Sequence, residues 1–276
     1  MSDEEPGTVH IGSRGSVRDN LREIYEYRST FYSLVRNQLF GRYKNSILGF
    51  AWHFINPLIM MVVYYVAFTT IRTGGAIPDR WLFMAAALFG FNYLTGALTG
   101  GCSCILGNAS TVKKMYFPRE ILILSQATTN FIITLIGYAF VIAAAVIIGH
   151  HLDYLALLFI FPLLLLTFLF GVGIMLITSS ITVYVRDFQY ALGSISMVFF
   201  FMTPMFYIAE EAKGLLADVI WWNPFTYFVE LYHDILYWGQ SPHLTYVLVC
   251  TALTAVVLIA GYLIFDRLKH GFTERL

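Results

Sequence analysis

Charge is what this 276-residue chain has least of: Asp, Glu, Lys and Arg make up 12% of it, against 58% hydrophobic residues. A soluble domain is about one quarter charged, and a chain of this size has no way of hiding so much apolar surface from water. The shortage excludes a water-soluble fold. Cysteine is scarce too, and Cys102, Cys104 and Cys250 all sit in apolar runs, as packing residues rather than a disulfide framework. No His or acid stands beside Cys102 and Cys104 to complete a metal site. The interiors of the long apolar segments hold no Asp, Glu, Lys or Arg. Proton pumps and ion-coupled transporters need such groups as relays, so that class is set aside. Also missing are a P-loop, Gly-x-Ser-x-Gly, His-Glu-x-x-His and paired membrane-facing carboxylates. The chain lacks the usual signatures of an ATPase, a hydrolase or a metal-dependent transferase, so energy for work on a substrate has to come from a partner.

What is present is apolar length. A membrane-crossing helix needs about 20 residues, and six segments qualify: Ile47–Ile71, Trp81–Leu106, Ile121–Ile148, Tyr154–Val183, Phe188–Ile208 and Thr245–Phe265. Pro57 and Pro162 are natural kink points, and the glycines of the second segment permit close helix approach. Val219–Gly239 is refused as a span because it carries Asn223, Pro224, Glu230, His233 and Asp234. It suits an interfacial or re-entrant helix pair turned at Asn223-Pro224. The expected fold is an all-α polytopic membrane protein with six transmembrane helices over 47–265. Residues 1–15 read as a disordered tail without a cleavable signal peptide, 16–46 as an amphipathic interface helix, and 266–276 as a basic tail. In 16–46, Val17, Leu21, Ile24, Phe31, Val35 and Leu39 recur mostly three or four apart, interleaved with arginines.

Charge placement orients the chain. Of seventeen Lys and Arg, fourteen fall in the N-terminal region, around Lys113–Arg119, at Arg186 and in the C-terminal tail. The opposite face holds Arg72, Arg80 and Lys213. The positive-inside bias makes both termini cytoplasmic. On charge, Asn108–Glu120 is an inside anchor; its aromatic cluster and Pro118 fit a coupling helix on an ATPase equally well. His53, lone in its span, reads as a packing residue, and His150 with His151 as solvated rather than metal-bound.

Four motifs carry a resemblance. Arg42-Tyr43-Lys44-Asn45-Ser46-Ile47-Leu48-Gly49-Phe50-Ala51-Trp52, followed by Asn56-Pro57, resembles the entry to the first span of the type-2 ABC transporter permeases that export O-antigen, capsule-like glycans and teichoic acids. Lys113-Lys114 with Phe117-Pro118-Arg119-Glu120-Ile121-Leu122 resembles their coupling loop. Tyr184-x-Arg186-Asp187-Phe188 resembles their inner loop, and Thr203-Pro204-x-Phe206-Tyr207 with Asn223-Pro224 their outer gate. The four stand in family order from about residue 20 onward. Ile123 departs where many relatives carry proline, and His233 where arginine is common.

The resemblance implies a homodimer of this chain, in the cytoplasmic (inner) membrane, docked on two copies of a separate ATPase subunit. ATP and Mg would be bound by that subunit, and no cofactor or metal by this chain. The cargo would be a glycan on an undecaprenyl-type lipid. ATPase coupling would fall to Lys113, Lys114, Tyr116, Phe117, Pro118, Arg119, Glu120, Arg186 and Asp187. Arg36, Arg42, Tyr43, Lys44 and Trp52 are candidates for the lipid pyrophosphate and the interface, since arginine forks match phosphate oxygens, with anionic headgroups as the alternative ligand. Tyr64, Tyr65, Phe199, Phe206 and Tyr207 are channel or gate candidates, because aromatic faces can stack on sugars. Glu230 and Asp234, four apart, either meet emerging sugar or face water, and the second suits their setting better. The competing readings are a type-2 exporter of a drug or small lipid and a membrane-embedded lipid-linked glycan transferase. The second would need an acidic cluster at the inner face, where only Asp187 stands.

Overall fold

A computed structural model of the protein describes residues 22–23, 25–41, 46–71, 77–114, 117–150 and 152–275. All regular structure among them is helical. The longer helices among the described residues, with the short α4, are α1 (Arg28–Gly41), α2 (Trp52–Ile71), α3 (Arg80–Leu106), α4 (Ala109–Lys114), α5 (Glu120–Ile148), α6 (Ile160–Tyr184), α7 (Phe188–Met202), α8 (Pro224–Leu236) and α9 (Leu244–Leu268). Among the described residues, five stretches are long and apolar enough to cross a membrane: Gly49–Ala67, Arg80–Leu106, Glu120–Ile148, Tyr154–Tyr184 and Leu244–Gly271.

Small residues decide which helices lie at the centre. α3 packs against α6, α5 and α8, and more lightly against α7 and α2; α6 also pairs closely with α9. The α6–α9 crossing depends on glycine. A Cβ at Gly173 would lie 2.9 Å from the Leu258 backbone, and one at Gly261 would lie 2.6 Å from the Gly173 carbonyl oxygen. Backbones this close gain dispersion contact that bulky side chains would prevent. α1 lays Val35 and Leu39 against α5, so the N-terminal helix does have a partner in the fold.

Two expectations need correction. The segment Phe188–Ile208 is helical only to Met202, a 15-residue helix of about 22 Å. Pro204 disfavours helical geometry in the residue before it, and Thr203 is extended (ψ 130°). The freed helix end is closed by side chains: Thr203 donates through its backbone N and Oγ1 to the Phe199 carbonyl (2.9 and 2.7 Å), and Asn223 Nδ2 donates to Thr203 Oγ1 (2.7 Å). The first span begins as a 3₁₀ turn at Gly49–Ala51, with α-helix only from Trp52. In the C-terminal residues, α9 runs to Leu268, a turn follows, and Phe272, fully buried, opens a last helical turn.

Candidate functional site

Chain direction sorts the candidates onto two ends of the bundle. One end collects α1, α4, the α6–α7 turn and the C-terminal turn. The other collects the α5–α6 connection and everything between α7 and α9.

At the first end, three segments distant in sequence form one platform. α4 is followed by Phe117 and Pro118, both buried, and α5 starts at Glu120. Glu120 accepts a 2.9 Å hydrogen bond from Lys269 Nζ, which also contacts Asp266 at 2.9 Å. The Arg119 guanidinium stands 5.7 Å from the centre of the Phe272 ring. Tyr184 closes the arrangement: its hydroxyl donates to the Leu268 carbonyl (3.0 Å), and Arg275 lies 5.6 Å from its ring centre. The chain therefore ties Phe117–Glu120, Tyr184 and the C-terminal turn together and leaves Lys113, Arg186 and Asp187 exposed around them. The backbone of Lys114 is helical; its side chain, and the whole of Tyr116, lie outside the described residues. The sequence reading had Glu120, Arg186 and Asp187 but missed Asp266, Lys269 and Phe272. Their only sequence signal was an apolar phenylalanine amid tail charges.

The interface candidates divide. Arg36 is exposed on α1, where Arg28, Tyr32 and Arg36 recur at four-residue spacing along an open groove. Trp52 is half-buried at the start of α2. Arg42, Tyr43 and Lys44 lie outside the described residues.

At the second end the aromatic candidates meet. Tyr64 packs edge-on against Phe206 (centroids 5.0 Å apart) and tilted against Phe200 (5.2 Å). Phe199 instead meets Phe225 of α8 (5.0 Å). The Tyr207 hydroxyl donates back to the Met202 carbonyl (2.9 Å), a second closure of the α7 terminus. Tyr65 is exposed on α2.

α8 begins as its sequence says it should, with Asn223 accepting from the Phe225 amide (3.0 Å) and Pro224 in the first turn. Its burial corrects the water-facing reading, since Glu230 and Asp234 are 6% and 3% exposed. Asp234 accepts from Gln240 Nε2 (2.8 Å), the His243 amide (3.0 Å) and His243 Nδ1 (2.8 Å), clamping the turn into α9. That carboxylate's hydrogen bond and charge raise the pKa of His243, outside the spans, above the ordinary histidine range. Glu230 is less settled. His233 Nε2 donates to the Phe83 carbonyl of α3 (3.1 Å), and the imidazole stacks on the Phe83 ring at 3.8 Å. Its Nδ1 then faces Glu230 Oε1 at 3.6 Å, and neither atom has a hydrogen-bond partner among the described residues. A neutral imidazole would turn a lone pair toward the carboxylate. His150, expected to be solvated, is bound by Asp79 Oδ2 (3.0 Å) and the Tyr237 carbonyl (3.2 Å). His151 lies outside the described residues.

Apolar spans around a glycine-lined hub, with a built platform at one end and a buried polar helix at the other, make this an integral membrane protein of the helical transport type. The chain belongs to the ABC-2 type transporter family, which it matches over residues 29–237. It is 29% identical over 260 residues to the O-antigen export system permease protein RfbA of Myxococcus xanthus, covering 92% of this chain and 98% of that one. A Klebsiella pneumoniae protein of the same name is 26% identical, covering 84% and 89%. The capsule polysaccharide export inner-membrane protein CtrC of Neisseria meningitidis serogroup A is 22% identical, covering 87% and 91%.

Proposed function

We propose that this chain is the permease subunit of an ATP-driven polysaccharide exporter of the cytoplasmic membrane. The end carrying α1 and α4 is cytoplasmic in this reading, both termini included, and α7 serves as a sixth, short span. α1 lies at the membrane interface, and α8 is the re-entrant element at the outer face. Two copies pair and dock on two ATPase subunits, which bind ATP and Mg. The cargo is a glycan on an undecaprenyl-type lipid, such as O-antigen or teichoic acid. The relatives named for O-antigen and capsule export support the substrate class.

The observation that carries the reading is the platform. A lipid-facing anchor needs basic charge and nothing more, whereas here Arg119, Glu120, Tyr184, Lys269 and Phe272 are interlocked. An interlocked platform transmits a push from a docked ATPase into α5, α6 and α9 together. A conformational change of this kind requires the nucleotide states to interact differently with it. Lys113, Arg186 and Asp187 offer the exposed charges for docking, and Tyr64 with Phe206 belongs to the gate.

The test is ATP hydrolysis in lipid nanodiscs by the chain alone, with a co-expressed ABC ATPase subunit, and with lipid-linked glycan added. The expected result is silence alone, a stable 2:2 complex, and turnover that rises with glycan. Hydrolysis by the chain itself, or failure to form any complex with an ATPase, overturns the reading.

A further inference from the structure

A cavity of about 400 Å³ opens where α1, α2, α3 and α5 meet, toward the platform end. Its walls are polar in a part of the bundle where lipid is the solvent. Gln38 of α1, His53 of α2, Thr99 and Ser103 of α3, and Gln126 and Asn130 of α5 all line it, and no carboxylate, lysine or arginine does among the described residues. Ser103 is three residues from the end of α3 and Gln126 six from the start of α5. At 1.5 Å per residue both lie within about 10 Å of the helix ends, the depth of the leaflet nearest the platform.

Much of this polarity is held in place internally. Thr129 Oγ1 donates to Gln38 Oε1 (2.9 Å), Gln38 Nε2 to Ser125 Oγ (3.3 Å), and Gln126 Nε2 to Asn130 Oδ1 (3.2 Å). Thr99 and Ser103 donate back to the carbonyls of Thr95 (2.9 Å) and Gly100 (3.2 Å). A hydroxyl so engaged keeps lone pairs for an incoming donor. The Asn130 Nδ2 donor and the Gln126 Oε1 acceptor have no partner among the described residues. In hydrocarbon such groups are costly unless something hydrogen-bonds them.

The glycines on the cavity wall add a second, independent observation. Gly100 has nothing within 4 Å of where its Cβ would be, and Gly96 has only Asn130 Nδ2 at 3.5 Å. Neither has the positive φ that favours glycine. Glycine is a poor helix former, and here no helix crossing requires it. What the two glycines leave is open space in front of the Asn130 amide.

The described lining offers paired donors and acceptors without net charge, which suit hydroxyl groups, each of which donates and accepts. A phosphate would select arginine or lysine, and a cation would select carboxylates. We propose that this cavity binds a neutral, hydroxyl-rich group at the inner leaflet, and that the group is a sugar of the carried lipid-linked glycan, handed in beside α2. The inference rests on the exporter reading above for its cargo. The cavity's size falls at the lower end of the range of small-ligand sites.

The test uses the chain with its ATPase in nanodiscs and a prenyl-pyrophosphate-linked disaccharide carrying a photoreactive diazirine on its sugar. Labelling is expected on the α3 and α5 peptides that contain Gly100 and Asn130. Gly100→Leu, whose Cβ meets no neighbour within 4 Å and whose side chain takes up cavity space, and Asn130→Leu, which removes the amide, are each expected to lower that labelling about tenfold. Size-exclusion profiles and melting temperatures check that both variants fold. Unlabelled lipid-linked glycan should compete, and a diacylglycerol-linked glucose should not. Equal competition by the two would assign the cavity to bulk glycolipid headgroups and overturn the cargo assignment. Labelling elsewhere, or labelling indifferent to Gly100→Leu, overturns the site. Glycan-stimulated ATP hydrolysis in the same discs separates the two failures: if it persists while the label misses the cavity, the exporter reading stands and this inference falls.

Discussion

α2 and α3 look alike to a hydropathy scan and sit in opposite surroundings. In the most apolar stretch of α3, 78% of residues are buried inside the protein; in that of α2, 6% are. α3 carries alanines and glycines along its length, and neighbouring rings pack directly on its backbone, as Tyr232 and Tyr138 do at Gly90. α2 has no glycine, and Leu58, Ile59, Met60, Val62, Val63 and Val66 point outward. Small residues, rather than hydrophobicity, separate the hub of this bundle from its rim, because inside a membrane apolar surface gains little by leaving lipid while close approach gains contact.

The sharpest way to break the contrast is to disturb the polar helix that leans on α3. His233→Ala removes the hydrogen bond to the Phe83 carbonyl and leaves Glu230 buried without its counterpart. Truncating a fully buried ring to alanine typically costs about 3–5 kcal/mol through the cavity it leaves. A fall in detergent-solubilised melting temperature larger than for any α2 variant is expected, with Glu230→Gln milder because it leaves the His233 ring and its hydrogen bond to the Phe83 carbonyl in place. Equal, small effects would mean that α8 is not anchored through this pair.

Next comes the hub itself. A Cβ at Gly90 would lie 2.5 Å from Tyr232 Cε2 and 2.7 Å from the Tyr138 hydroxyl, both on fully buried rings. Overpacking of this kind costs about 1–3 kcal/mol. Gly90→Val should lower the melting temperature and broaden the size-exclusion profile, whereas Gly100→Ala on the same helix should be neutral or stabilising. If both glycines tolerate a side chain equally, the hub is looser than its contacts indicate.

These residues also mark what the sequence could disclose. Span lengths were legible because lipid imposes one length scale: α3 and α5 start one residue ahead of the expected spans, and α9 runs from one residue before to three after. The turn at Asn223-Pro224 was legible because capping chemistry is local. The burial of Glu230 and Asp234 was not, because nothing near them in sequence announces His243, Gln240 and the Phe83 carbonyl as neighbours. The same holds for the platform, where Lys269 meets Glu120 across most of the chain, and for the cavity, whose Gln38, Thr99 and Asn130 each look unremarkable alone. α7 misled for a different reason: hydropathy continues through Met205 and Phe206 while Pro204 ends the helix.

A smaller effect tests the clamp that holds the end of α8, and with it the α3 contact. The Asp234 carboxylate raises the pKa of His243 in the folded state, so protonation favours folding. That contribution is fully present below the ordinary histidine pKa of about 6.5 and disappears as pH rises through the higher folded value. The His243 side chain is 58% exposed, so solvent screens the interaction and the effect is modest. Hydrogen exchange of the Trp238–His243 turn should speed up as pH is raised across this range, beyond the intrinsic rate, and Asp234→Asn should abolish that excess. A turn whose protection ignores pH in the parent protein would remove His243 from the clamp.

The smallest expected effect on stability belongs to α2, and it is the most informative about assembly. Val62→Ala and Val63→Ala on the rim should change the melting temperature of the isolated subunit very little, within about 0.5 kcal/mol, since neither side chain is buried in the protein. What covers these faces is a separate question, which cysteines can answer because the native thiols Cys102, Cys104 and Cys250 are all buried and give a low background. The exposed side chains of α2 form one arc with two edge stripes, Val62 with Val66 on one and Met60 with Val63 on the other, and Ile59 between them. In nanodiscs, a single cysteine on the stripe that faces a second copy should form an oxidised dimer, while one on the lipid-facing stripe should react with a membrane-soluble maleimide instead. Dimers from one stripe only would make α2 part of the seam of a homodimer. Maleimide labelling of both stripes without any dimer would leave α2 to lipid and move the proposed pairing to another helix, with α7 and its exposed Met197, Val198 and Phe201 as the face to examine.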